Sequence, residues 1–319
     1  MATIALVSAG NAPGVTTTAF ALTLAWPGPT LLAECSPAGG HLLAGYFRGS
    51  LSAADRGLWQ LALQTRHGVG AAMADLGNQL ITLDDSGAKK LLPGLRDPFK
   101  ALQISEDMWM RIGELLAHLP VTTLIDIGHA GADLPPLVRT ADLVMMTLRP
   151  EPAQIAAARP RLEVLRDALG DTAQIGLCVL RDGDYSVREV EHALSRPAGG
   201  FAVSAHLPDD PKSAAVLTRG TKPGRGFTTA PLLREAALLA RNLYRGLEQT
   251  GTPAPVPFAA PHNSSPQQSQ HLAQPAQHPG AAHQPRPAPP TAPPLSERGA
   301  PNGVGYSHPG GLVLRGGDA

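Results

Sequence analysis

The residues best placed to do chemistry come at the start of the chain. Ser8-Ala9-Gly10-Asn11-Ala12-Pro13-Gly14-Val15-Thr16-Thr17-Thr18 follows an apolar run, Ile4 to Val7, and leads into an apolar helical pattern. A strand, a tight glycine-containing turn and a helix start, in that order, aim backbone N–H groups and the positive end of a helix dipole at one spot. Such a spot suits a phosphate. Set against the phosphate-binding pattern G-x-x-x-x-G-K-[ST], the chain has Ala9 for the first glycine, Gly14 for the second, Val15 for the lysine and Thr16 for the Mg²⁺-binding hydroxyl. The layout is kept and the positive charge is gone. Gly10, Asn11, Gly14, Val15, Thr16 and Thr17 are therefore candidate ligand-binding residues. The alternative is a tight strand-to-helix turn with no ligand, since Gly-rich turns are common.

The elements that must position this loop follow from apolar periodicity. Thr3 to Ser8 reads as a strand, Thr16 to Ala25 as a helix, and Thr30 to Glu34 as a second strand entered through Pro27-Gly28-Pro29. Together they form a βαβ unit, expected to be right-handed and parallel. Leu58 to Gln64 and Gly70 to Leu76 look helical, and Leu91 to Leu95 looks like a strand end running into a loop. A helix over Glu106 to Leu119 precedes a buried strand at Val121 to Ile127, and a short helix around Pro136 to Thr140 precedes a strand at Leu143 to Leu148. Pro152 to Leu169 reads as helix, Gln174 to Leu180 as strand, and Ser186 with Glu189 carries a capping box. Phe201 to Ala205 is the last strand, and an apolar-faced helix closes at Pro231 to Leu247.

Strands buried on both faces and alternating with helices predict an α/β fold with a mostly parallel, doubly wound sheet flanked by helices. Ligands of such sheets sit beyond the strand carboxyl ends. The segments Gly10 to Thr16, Glu34 to Gly40, Asp126 to Ala132 and Leu207 to Pro211 all fall there. Glu34 reads either as a functional acid or as a carboxylate solvated at a strand end. His41 and His129 read as exposed loop histidines, and Cys35 as a small buried residue.

Composition bounds the rest. Almost half of the 32 prolines and five of the 11 histidines lie beyond Thr250, with few apolar residues among them. Residues 1–249 are thus the expected folded domain and 250–319 a disordered Pro/Gln/His-rich tail, because the tail has too little apolar surface to offset the entropy of ordering. Formal net charge is zero, so bulk electrostatics give no case for nucleic-acid binding, and Arg219, Lys222 and Arg225 read as a solvated loop cluster. Two cysteines make neither a disulfide framework nor a metal site, and no signal peptide or membrane-spanning run is legible. A cytoplasmic location is the expectation. The arginines of the closing helix leave two readings, a face packed on the sheet or one lying on a membrane.

Four segments in order, "SAGNAPGVTTTAFAL", "TLLAECSPAGGHL", "TTLIDIGHAGADLPPLVRTADLVMMTLRPEPAQI" and "AHLPDDP", resemble the ParA/MinD family of P-loop ATPases. They look most like its divergent actinobacterial branch, whose loop reads G-x-P-G-V-T-T-T. The likeness spans roughly residues 1–247. The family loop reads K-G-G-V-G-K-T-T, and Gly10 and Val15 stand where its two lysines would be.

The resemblance implies a P-loop NTPase fold, with ATP and Mg²⁺ as cofactors. Thr16 and Asp126 would hold the metal, Asp126 through water, and Glu34 would be the one acid remaining of the pair near the attacking water. Pro208, Asp209 and Asp210 would lie near the base. Arg181-Asp182 stands where the family commonly has an Asn-Arg pair. The resemblance further implies a homodimer that recruits a protein partner in positioning, partitioning or transfer, with weak or absent hydrolysis because both lysines are missing. The other reading is a pseudo-ATPase scaffold that binds protein partners without nucleotide.

Overall fold

A computed structural model of the chain describes residues 2–10, 14–51, 56–129, 135–170, 174–181 and 183–249. The expected tail, Asn11 of the loop, and Asp182 lie outside these residues.

Strands β1 (Thr3–Ser8), β2 (Thr30–Glu34), β3 (Ile81–Thr82), β4 (Lys89–Leu92), β5 (Thr122–His129), β6 (Leu143–Leu148), β7 (Gln174–Leu180) and β8 (Val203–Leu207) form one sheet in the order β3-β4-β2-β5-β1-β6-β7-β8. Every pairing is parallel except the short β3–β4 hairpin at one edge. The sheet is doubly wound, as the alternation of elements predicts.

The chain order departs from β1 in both directions, so β1 lies between β5 and β6 and its carboxyl end opens at a topological switch point. Side-chain alternation on β1 divides the interior into two layers. Ala5 and Val7 join a core with helices α2 (Leu58–Thr65), α3 (Val69–Gln79), α4 (Glu106–Ala117), α5 (Pro152–Leu169) and α6 (Val187–Ala198). Ile4 and Leu6 face α1 (Val15–Ala25), α7 (Pro211–Arg219) and α8 (Pro231–Gln249). The two-sided burial explains why the central strands read as unbroken apolar runs.

Local signals set the helix ends. Ser105 accepts from the Met108 N–H at 3.3 Å to start α4, and Ser186 and Glu189 form the expected capping box of α6. In α8, Leu232, Leu233, Leu239 and Leu243 are buried against α1 and the sheet. At roughly 1.5–3 kcal/mol for each buried leucine side chain, this face holds the helix to the fold. The membrane-lying reading of α8 gives way to packing.

Three local expectations need correction. The strand legible at Leu91 begins at Lys89. Its polar start hides a buried lysine whose ammonium donates to the carbonyls of Trp26 and Gly28, which turns a charge into a clamp on the α1–β2 turn. The last strand is Val203–Leu207, two residues later than its apolar pattern indicates, because Phe201 packs against the core from the loop before it. A helix, α7, follows the Leu207-Pro208-Asp209-Asp210 segment and carries Arg219 as its last residue. The Asp210 carboxylate accepts from the Ser213 N–H at 3.1 Å, with Pro211 in the first turn, which is a readable helix start.

Candidate functional site

A cleft of about 680 Å³ opens at the carboxyl end of β1. Gly10, Gly14, Val15, Thr16 and Thr17 line it, so the described part of the predicted loop is brought together. Gly14 precedes α1 with φ of 144°, a conformation that residues with a Cβ rarely adopt, and a Cβ there would meet Leu180 at 2.6 Å. Glycine is what lets the chain turn tightly into the helix. Among the described residues no side chain caps α1, and no acid stands in its first turn. The N–H groups of the first turn thus receive no side-chain cap among the described residues, an arrangement that suits an anion.

Thr16 of the cleft lining meets Asp126, 110 residues away in sequence and buried, which is not itself among the described lining residues. The Thr16 hydroxyl donates to Asp126 Oδ2 at 2.5 Å, and the Gly128 N–H donates to Oδ1 at 2.9 Å. A local irregularity fixes the carboxylate: the β1–β5 register slips between Leu6 and Val7, so Leu6 pairs with Asp126 and Val7 with Gly128. Bulges of this kind re-aim side chains beside sites. Asp126 is buried, and that desolvation pushes its carboxyl up to about 6. The neighbouring Glu34 carboxylate adds to the rise, against the bonds from Thr16 and Gly128. A hydroxyl and a carboxylate 2.5 Å apart are hard oxygen donors, a chemistry that fits Mg²⁺.

Glu34 pairs in register with Asp126 across β2 and β5 but does not line the cleft. Its side chain is 1% exposed, so it is not solvated at a strand end. Oε1 accepts from the N–H groups of His41 at 2.7 Å and Leu42 at 3.0 Å, and Oε2 from Gly94 at 3.2 Å. All three donors are main-chain groups, so the carboxylate ties down the loop that follows β2. That loop, rather than Glu34 itself, reaches the cleft, through His41, Leu42, Ala44 and Gly45.

His41 and His129 are exposed, as expected, and both line the cleft; a ring nitrogen of His129 lies 3.0 Å from the Gly10 carbonyl. Cys35 is fully buried, and burial with the Asp126 and Glu34 charges pushes its thiol far up, which makes it inert.

Pro208, Asp209 and Asp210 are not brought into the cleft. Asp209 pairs with Arg181 at 3.4 Å, and Asp210 accepts from Ser213 to cap α7. Ser8, the first residue of the loop stretch, lines it too, and so does Thr218 of α7, a member that sequence reasoning missed. No lysine or arginine appears among the described residues of the lining.

No protein-family model matches the chain, and no curated protein matches it by sequence. Solved structures do. A ParA family ATPase from Chlorobium tepidum TLS superposes with a TM-score of 0.59 at 15% identity, over 76% of this chain and 98% of that one. The chain has the ParA/MinD fold. The MinC:MinD cell division complex of Aquifex aeolicus gives a TM-score of 0.58 at 18% identity over 80% and 98% of the two chains. The septum site-determining protein MinD of Pyrococcus horikoshii OT3, complexed with Mg-ADP, gives 0.56 at 16% over 76% and 95%. Across this ParA/MinD fold the near-complete coverage of each neighbour leaves no large structural segment of theirs unmatched. No described helix is long and apolar enough to cross a membrane.

Proposed function

We propose that the chain is a nucleotide-responsive switch of the ParA/MinD type. In this reading it holds ATP and Mg²⁺ in the cleft, hydrolyses the nucleotide slowly or not at all, and in the loaded state dimerises and recruits a protein partner in positioning, partitioning or transfer. The observation that carries the reading is the Thr16–Asp126 hydrogen bond at the foot of an uncapped helix. Neighbours described as MinD with Mg-ADP and as a MinC:MinD complex support the ligand class and the partner class.

The residues divide the work. The first-turn N–H groups of α1 would take phosphate oxygens, with the helix dipole favouring negative charge. Thr16 and Asp126 would hold Mg²⁺, which when bound neutralises charge on the phosphate oxygens. Glu34 would keep the loop at His41 and Leu42 seated as one wall. Phosphoryl transfer needs a positioned cation against the charge that develops on the transferred group, and the side chain at that place is Val15. Turnover should therefore lie orders of magnitude below that of a lysine-bearing loop.

A second reading, a scaffold that keeps the fold and binds partners without nucleotide, is favoured by a lining with no lysine or arginine among the described residues. Titration with a fluorescent ATP analogue, with and without Mg²⁺, separates the two. Saturable, Mg²⁺-dependent binding supports the switch; no binding at millimolar ligand supports the scaffold.

A further inference from the structure

A second concavity, of about 570 Å³, lies between α5 and α6 and shares no lining residue with the cleft. Its apolar lining comes from Pro152, Ile155 and Ala156 of α5, Ala193 of α6, and Tyr185 just before α6. Tyr185 is 40% exposed, although a tyrosine ring gains by burial. Arg159, Arg188 and His192 line the same groove and are exposed.

Neither arginine makes an ion pair or side-chain hydrogen bond among the described residues. The acid in the lining, Glu189, is already engaged: its carboxylate accepts from the Ser186 N–H at 2.8 Å and from the Ser186 hydroxyl at 2.7 Å. The groove thus presents apolar surface flanked by two guanidiniums that no acid pairs among the described residues.

Shape adds to charge. The α5 wall is built from positions 152, 155, 156 and 159 and the α6 wall from 188, 189, 192 and 193, each the i, i+3/i+4 stripe of one helix face. Seven residues of helix run about 10 Å, enough to seat two turns of a third helix. Guanidiniums at such a rim favour carboxylates, which they meet in a two-point fork.

We propose that the α5/α6 groove docks an acidic amphipathic helix of a partner protein, its apolar stripe on Ile155, Ala156 and Tyr185 and its carboxylates on Arg159 and Arg188. This is the helix-in-groove mode of recognition. The site gives the recruitment reading a surface, yet it does not depend on nucleotide binding.

The test is fluorescence anisotropy with the full chain and no nucleotide. The probe is a labelled synthetic helix of about four turns with Leu at i, i+3/i+4 and i+7 and Glu on the flanks. Saturable binding is expected, weakened about tenfold or more by Arg188→Glu and by Arg159→Glu, and less by the corresponding Gln changes. The same peptide with Lys in place of Glu should bind the Arg159→Glu/Arg188→Glu double variant and not the wild type. Both positions are exposed, so circular dichroism should show these variants folded. Failure of the Glu peptide to bind, equal binding to the folded double variant, or equal binding of the Lys peptide to wild type overturns the proposal. Because nucleotide is absent, none of these outcomes touches the cleft reading.

Discussion

The cleft at the end of β1 and the groove between α5 and α6 are complementary opposites. The cleft pairs a tight glycine turn into a helix start with no cation among its described lining residues; the groove has two guanidiniums without an ion pair among the described residues, on ordinary helix faces. If the cleft takes a phosphate as proposed, the contrast teaches that the shape of such a site and its charge are separable properties of a chain. The shape of the cleft is held by Gly14, by the bulge before Gly128 and by the Thr16–Asp126 bond. None of these requires a lysine. In the proposed reading, a cradle with no cation among its described lining residues is what a binding switch or a scaffold can tolerate and a fast ATPase cannot.

The largest effect that would break the comparison is on the shape. Gly14→Val forces a branched residue into φ of 144° against Leu180, and should cost about 2–4 kcal/mol of unfolding free energy. Urea denaturation measures it, and a loss within error would show that the turn is not a strained glycine site.

The next effect is electrostatic. Asp126 has its carboxyl raised to about 6 in the fold, against about 3.9 for an unfolded aspartate. The sign follows from proton counting. Between those values the folded chain keeps a proton that the unfolded chain has lost, so the contribution of Asp126 to stability is fullest below about pH 4, falls as pH rises to about 6, by about 2–3 kcal/mol, and is flat above. Asp126→Asn should remove that slope and be the more stable protein at pH 7. Equal stability-versus-pH curves for the two proteins would mean that Asp126 carries no such penalty.

The smallest of the three concerns the missing charge itself. In Val15→Lys the aliphatic stem can keep the contacts of Val15 with the core while the ammonium reaches the cleft. Affinity for the ATP analogue should rise about tenfold, the equivalent of one charge-assisted contact. An unchanged or weaker affinity would place the phosphates elsewhere.

How much of this could be read from the chain depends on how local each cause is. The central strands were legible because burial on both faces makes them continuous apolar runs, and the loop because a strand, glycines and a helix start sit together in sequence. Asp126 was singled out by the family resemblance and as the acid late in a buried apolar run, although the strand itself continues to His129. The fate of Glu34 was not legible: its three donors come from His41, Leu42 and Gly94, and only the packed fold brings residue 94 to residue 34. Thr218 was missed along with α7, although the Asp210-Pro211 start of that helix was present as a signal. Asp209 and Asp210 stand in a segment that carried the family resemblance, yet their carboxylates are engaged with Arg181 and Ser213. A motif in sequence does not say which way its side chains are committed. The groove was invisible for a related reason, since two helix stripes become one surface only after α5 and α6 pack.

The most direct test of a cradle made of main chain is to watch its amides. Two-dimensional ¹⁵N–¹H spectra of the full chain, recorded as a non-hydrolysable ATP analogue and Mg²⁺ are added, should show saturating shifts at the backbone N–H groups of Val15, Thr16 and Thr17, with the resonances of Arg159 and Arg188 unmoved. Saturating ligand that leaves those three amides in place, or that shifts residues elsewhere instead, would contradict the account.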